Sequence, residues 1–116
     1  MSQDKTQKLK IEVYGRVQGV SFRYNVKKFA ESNGIKGYVM NREDGSVEIA
    51  VQCNADKLKQ FIAFLKGNPG FSKIEDIRLS ELKTTKKFTD FKIEREVNYF
   101  SDKLKGGLNL TRRLFG

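Results

Sequence analysis

Nine residues, Gly15 to Arg23, read GRVQGVSFR and combine the features of an anion cradle. Two of them are glycines, which adopt the positive backbone angles that turn several main-chain N–H groups inward. The segment also leads into a helix, whose first N–H groups have no intrahelical partner and whose dipole presents its positive end there. Arg23, Lys27 and Lys28 fall in the first two turns of that helix, and no carboxylate appears before Glu31. Cations in that position oppose the helix dipole, each at a cost of about 0.3–1 kcal/mol at a surface. A bound phosphate would reverse the sign for Arg23 through charge-assisted hydrogen bonds. An ordinary strand-to-helix connection carrying solvated side chains fits the same spacing. Asn41 is the second candidate: a carboxamide both donates and accepts hydrogen bonds, and so can hold a water molecule in a fixed direction. An asparagine before a turn also serves commonly as a local backbone cap.

The elements that must position these groups are legible from periodicity. Leu9, Ile11 and Val13 alternate with Lys10, Glu12 and Tyr14, which predicts a half-buried first strand interrupted at Gly15. Phe22, Val26, Phe29 and Ala30 form one apolar helical face, with Gly34 as the C-terminal stop. GYVMN and SVEIAVQC predict two strands joined by a hairpin at Asp44-Gly45. Asn54 is placed to cap a second helix carrying Leu58, Phe61, Ile62 and Leu65, which ends at Gly67. Ile77 and Leu79, then Phe91 and Ile93, predict a further strand and a short terminal one.

This succession is α+β: a ferredoxin-like βαββαβ sandwich with two helices on one face of an antiparallel sheet, plus a short extra C-terminal strand. In that topology strands one and two are both antiparallel to strand three, so their C-terminal ends share one edge. Asn41 then approaches the cradle and Arg23. The expected organisation is an N-terminal tail over residues 1–7, a domain over 8–96 and a basic C-terminal extension over 97–116, the last with four cations against one acid.

Composition removes several classes of chemistry. The sequence contains no histidine, which excludes the usual zinc sites and histidine-based triads. A single cysteine, Cys53, allows no internal disulfide. It continues the apolar face of Val47, Ile49 and Val51, so it is read as a core residue and not as a nucleophile. No stretch approaches the roughly 18 apolar residues of a membrane span, and the expectation is a cytoplasmic monomer. The net charge of +9 attracts phosphates of any kind, and contact of this surface with nucleic acid or an anionic membrane is the less favoured partner assignment.

GRVQGVSFR followed by GYVMN and DGSVE resembles the signature of the acylphosphatase family over roughly Lys8 to Ile93. The resemblance implies hydrolysis of small-molecule acyl phosphates without metal or cofactor. It implies that Arg23 binds substrate phosphate, that Asn41 orients the attacking water, and that the backbone N–H groups of Arg16, Val17, Gln18, Gly19 and Val20 form the phosphate loop. Two positions depart from the family pattern: Ser21, commonly glycine and here read as the helix N-cap, and Tyr38, commonly tryptophan. The alternative is a non-catalytic ferredoxin-like module binding RNA or a phosphate ligand. RNA-recognition domains share the element order, yet Val39 and Asn41 follow Tyr38 without the second exposed ring that base stacking needs. A third reading is a regulatory or carbamoyl phosphate-handling relative of the similar domains inside larger hydrogenase-maturation proteins.

Overall fold

A computed structural model describes residues 5–19 and 21–95. The predicted phosphate contact Val20 and the extension 97–116 lie outside the described residues, as do the first four residues of the N-terminal tail. The elements run β1 (Gln7–Arg16), α1 (Phe22–Ser32), β2 (Lys36–Asn41), β3 (Val47–Cys53), α2 (Ala55–Lys66), β4 (Lys73–Glu81) and β5 (Phe91–Glu94). The strands form one sheet in the order β4-β1-β3-β2-β5. This is the predicted ferredoxin-like arrangement with its extra strand, and it differs in one respect. β5 pairs with β2 in parallel, so the sheet is mixed and not wholly antiparallel.

Alternation decides which face of each strand is buried. Ile11 and Val13 from β1, Val39 from β2, and Val47, Ile49 and Val51 from β3 are essentially inaccessible. They meet Phe22, Val26 and Ala30 of α1 and Phe61 and Leu65 of α2 in one core. The spacing of those helical residues is the reason the two segments fold as amphipathic helices on this face. α1 packs chiefly on β2 and β5. Phe29, stacked on Phe64 with ring centroids 4.2 Å apart, ties the two helices together. Asn54 caps α2 as its position predicts, accepting from the Lys57 amide at 2.9 Å.

Among the described residues no helix covers the opposite face of the sheet. There Glu48 is 92% buried because Tyr38 and Arg42 close over it, the first through its hydroxyl and the second through its guanidinium. Burial, followed by the hydrogen bond to Glu48, pushes the Tyr38 hydroxyl well above the ordinary phenol range. The connection before β5 lies across the far end of this face, where Gln52 exchanges two hydrogen bonds with the backbone of Phe88.

β1 does not stop at Gly15, as its sequence suggests, but shifts register between Tyr14 and Gly15 and continues to Arg16. The glycine is required: its φ is +128°, and a Cβ would collide with the Lys73 carbonyl of β4. A bulge of this kind bends the strand and re-aims the chain. Here β1 keeps its pairing with β4 through Arg16 after its pairing with β3 has ended at Val13, and leads into the rest of the GRVQGVSFR connection.

Candidate active site

Both β1 and β2 run antiparallel to β3, so their C-terminal ends lie at the same sheet edge. The register makes the relation specific: Val13 and Asn41 both pair with Val47, from opposite sides. Asn41 is therefore two strand spacings, about 10 Å, across the sheet from Val13. β5 runs parallel to β2, with Ile93 opposite Val39, so its C-terminal end reaches that edge as well. Three strand ends and the start of α1 converge there.

Between the loop after β1, the start of α1 and the end of β5 lies a cleft of about 190 Å³ whose lining includes Val17, Gly19, Ser21, Arg23, Tyr24 and Ile93. Each loop residue has a separate reason for its conformation. Val17 is 1% exposed as a whole residue, so it anchors the start of the loop in the core. Gly19 has φ +71°, and a Cβ there would meet nothing within 4 Å. The conformation, and not the space, is what favours glycine at this position.

Ser21 holds the N-cap position of α1 with a left-handed backbone, φ +61°, and its side chain makes no capping hydrogen bond. The expected hydroxyl cap is therefore not formed. Its carbonyl oxygen accepts from the Asn25 amide at 3.1 Å and from the Asn25 carboxamide at 2.7 Å. The left-handed region costs a residue with a Cβ roughly 1–2 kcal/mol, and such strain concentrates where backbone geometry serves a ligand. The result is a helix start whose N–H groups are not taken by its own cap side chain.

The cationic first turns divide on inspection. Lys27 forms an i,i+4 ion pair with Glu31, which accounts for it structurally. None of the ion pairs among the described residues includes Arg23, and its first turn contains no acidic residue. Arg23 sits at the cleft. Arg16 ends β1 in register with Lys73 and lies outside the cleft's lining.

Asn41 shares the helix-side face with Val39, two residues before it, by strand alternation. Its Oδ1 is buried and, among the described residues, the one buried side-chain oxygen or nitrogen without a hydrogen-bond partner. A buried acceptor in that condition costs about 1–3 kcal/mol. Arg42, the next residue, points the other way, to Glu48. Alternation therefore assigns the carboxamide and the guanidinium of this dipeptide to different faces.

Gln18 carries a role that the sequence does not announce. Its side-chain amide donates to the carbonyl oxygens of Arg42 at 2.8 Å and Ser46 at 2.9 Å. This fastens the loop to the β2–β3 turn directly beyond Asn41. The available signal was chemical: a side chain with two N–H donors amid a glycine loop has donors to place.

Cys53 is buried, and burial pushes its thiol up to about 11, consistent with the inert core role read from its spacing. Among the described residues no three His, Cys, Asp or Glu side chains are grouped as metal ligands. Among the same residues no helix is long and apolar enough to cross a membrane.

Comparison with known proteins agrees with this fold. The sequence profile of the acylphosphatase family matches residues 9–93. The acylphosphatase of Bacillus licheniformis is 46% identical over 85 residues, covering 72% of this chain and 93% of that protein. The crystal structure of acylphosphatase from Bacillus subtilis superposes with a TM-score of 0.71 at 37% identity, covering 78% of this chain and 99% of that one. HypF of T. kodakarensis has a TM-score of 0.69 at 29% identity; the match takes in 76% of this chain but 12% of that longer one.

Proposed function

The chain belongs to the acylphosphatase family, and from that premise we propose that it hydrolyses acyl phosphates to carboxylate and inorganic phosphate, with Arg23 and the loop amides holding the phosphoryl group and Asn41 placing the water. The observation that carries the assignment of roles is the unpartnered, buried Oδ1 of Asn41, at the same sheet edge as the cleft lined by Arg23, Gly19 and Ser21, of which Asn41 itself is not a lining residue. The non-catalytic alternative is not favoured, since the relatives along the whole domain are named acylphosphatases.

An acyl phosphate already has a stable carboxylate as leaving group, so the reaction requires positioning and charge stabilisation more than acid–base power. Arg23 and the backbone N–H groups of Arg16, Val17, Gln18, Gly19 and Val20 are assigned to the nonbridging oxygens. Their donors act on the charge those oxygens carry in the transition state, the type of preorganised contact that dominates such reactions. Oδ1 of Asn41 accepts a hydrogen bond from water while its Nδ2 donates to an oxygen of the substrate. That arrangement fixes the line of attack and removes an alignment entropy otherwise lost in the transition state. The water oxygen forms a bond to phosphorus, the P–O bond to the acyl group breaks, and the carboxylate leaves with the electron pair. A nonbridging phosphate oxygen takes the water's proton. No step calls for a metal or cofactor.

The same reading places the enzyme as a cytoplasmic monomer, with a domain over 8–96 between the tail 1–7 and the basic extension 97–116. The family match ending at residue 93 supports the boundary of the domain. Phosphate release from benzoyl phosphate in the presence of EDTA tests the reaction class and the metal independence together: turnover is expected, and its absence with EDTA but not without it contradicts the metal-free mechanism.

A further inference from the structure

The cleft has more than an anion needs. Large side chains with strongly exposed apolar surface are few among the described residues: Tyr24, Phe71, Leu79 and Ile93. Leu79 lies on the edge strand β4, and Phe71 on the connection leading to it. The other two, from elements far apart in sequence, both line the cleft that contains Arg23 and Gly19. Tyr24 is 62% exposed in the first turn of α1, and Ile93 is 42% exposed near the end of β5. The parallel pairing of β5 with β2 brings Ile93 to this edge, opposite Val39.

A phosphoryl group is satisfied by N–H donors and a guanidinium, and gains nothing from a phenol ring or an isoleucine side chain. Apolar surface beside such donors is the usual composition of a small-molecule site, where polar groups fix orientation and apolar walls hold the rest of the ligand. The substituent that leaves the phosphate cradle in an acyl phosphate is the acyl group.

Resting on the acylphosphatase reading above, we propose that Tyr24 and Ile93 form an acyl-group subsite that selects acyl phosphates with an apolar, aromatic or medium-chain acyl group over those with a small polar or one-carbon substituent. The two side chains act as specificity determinants, one contributed by each side of the cleft. Since both are partly exposed in the free protein, the acyl group covers apolar surface that water otherwise contacts, and discrimination follows the area removed from water. A hydrophobic contact of this size distinguishes substrates by about tenfold and not by several orders of magnitude.

The test is the ratio of kcat/KM for benzoyl phosphate to that for acetyl phosphate, each corrected for its uncatalysed hydrolysis in buffer. The wild-type ratio is expected to be about 10 or more, and the Tyr24→Ser/Ile93→Ser double variant is expected to bring it down at least fivefold, chiefly through KM for benzoyl phosphate. Tyr24→Phe and Ile93→Leu, which keep the apolar walls, retain the wild-type ratio. An unmoved ratio in the serine double variant, or equal losses on both substrates, overturns the subsite while leaving the parent reading in place. Failure of the wild type to hydrolyse either compound overturns the parent reading and the subsite with it.

Discussion

Gln18 is bonded through its side-chain amide to the main-chain carbonyl of Arg42 at 2.8 Å, so the loop between β1 and α1 is fastened to the chain one residue beyond Asn41. The two halves of the candidate site, 23 residues apart from Gln18 to Asn41 in the sequence, are thereby held in one frame. In the proposed mechanism this frame sets the distance from the phosphorus atom to the attacking water.

Gln18→Ala removes that fastening without leaving a bare carbonyl. The Arg42 oxygen keeps its bond from the Gly45 amide, and the Ser46 oxygen keeps its bond from the Arg42 amide. The stability loss is accordingly about 1–2 kcal/mol. The catalytic loss is larger in proportion, on the order of 10- to 100-fold in kcat/KM, because a displacement near 1 Å is costly when alignment is the main catalytic device. Gln18→Glu sets carboxylate oxygens against two carbonyl oxygens and lowers the urea midpoint further than alanine does. Chemical denaturation and steady-state rates on the two variants check both statements.

Ser21→Gly is expected to stabilise the fold. The residue has φ +61°, and its hydroxyl contributes no capping bond that the substitution could remove. Relief of the left-handed strain is about 1 kcal/mol. Ser21→Ala, which retains the Cβ, brings no such gain, and comparison of urea midpoints for the two variants separates strain from side-chain chemistry.

Cys53 gives a pH dependence of defined sign. Burial raises its thiol from 9.0 to about 11 in the folded protein. Between those values the folded state binds more proton than the unfolded one, so stability falls as the pH rises. The contribution is constant below pH 9 and is lost progressively as the pH passes through 11. The informative quantity is the difference in melting temperature between wild type and Cys53→Val, which isolates the thiol from every other group. That difference is expected to be flat from pH 7 to 9 and to shift in favour of the valine variant toward pH 11.

Much of this was legible in the sequence because it depends on local rules. The alternation of Leu9, Ile11 and Val13, the spacing of Phe22, Val26 and Ala30, the Asn54 cap and the Asp44-Gly45 turn each specify their element within a few residues. The shared edge of β1 and β2 followed from counting antiparallel pairings. Features requiring contacts between distant residues were not legible. The direction of β5 depends on its pairing with β2, and four residues of alternating pattern do not record whether a neighbour is parallel. The bulge at Gly15 is fixed by the backbone of β4, some 58 residues away at Lys73. Lys27 could not be separated from Arg23 by type, since only the Glu31 ion pair distinguishes a structural cation from one facing the cleft. The left-handed Ser21 is a local misfit of the kind that sequence rules miss at functional positions.

In the proposed mechanism Arg23 and Asn41 act on one phosphoryl group, the first by binding its charge and the second by aiming water at it. The most direct measurement is kcat for benzoyl phosphate with Arg23→Ala and Asn41→Ala, with circular dichroism and urea midpoints recorded on the same samples. Each variant is expected to remain folded and to lose about 10²- to 10³-fold in kcat, the effect of removing one oriented group from a preorganised site. A folded variant of either kind that turns over benzoyl phosphate at the wild-type rate contradicts the account.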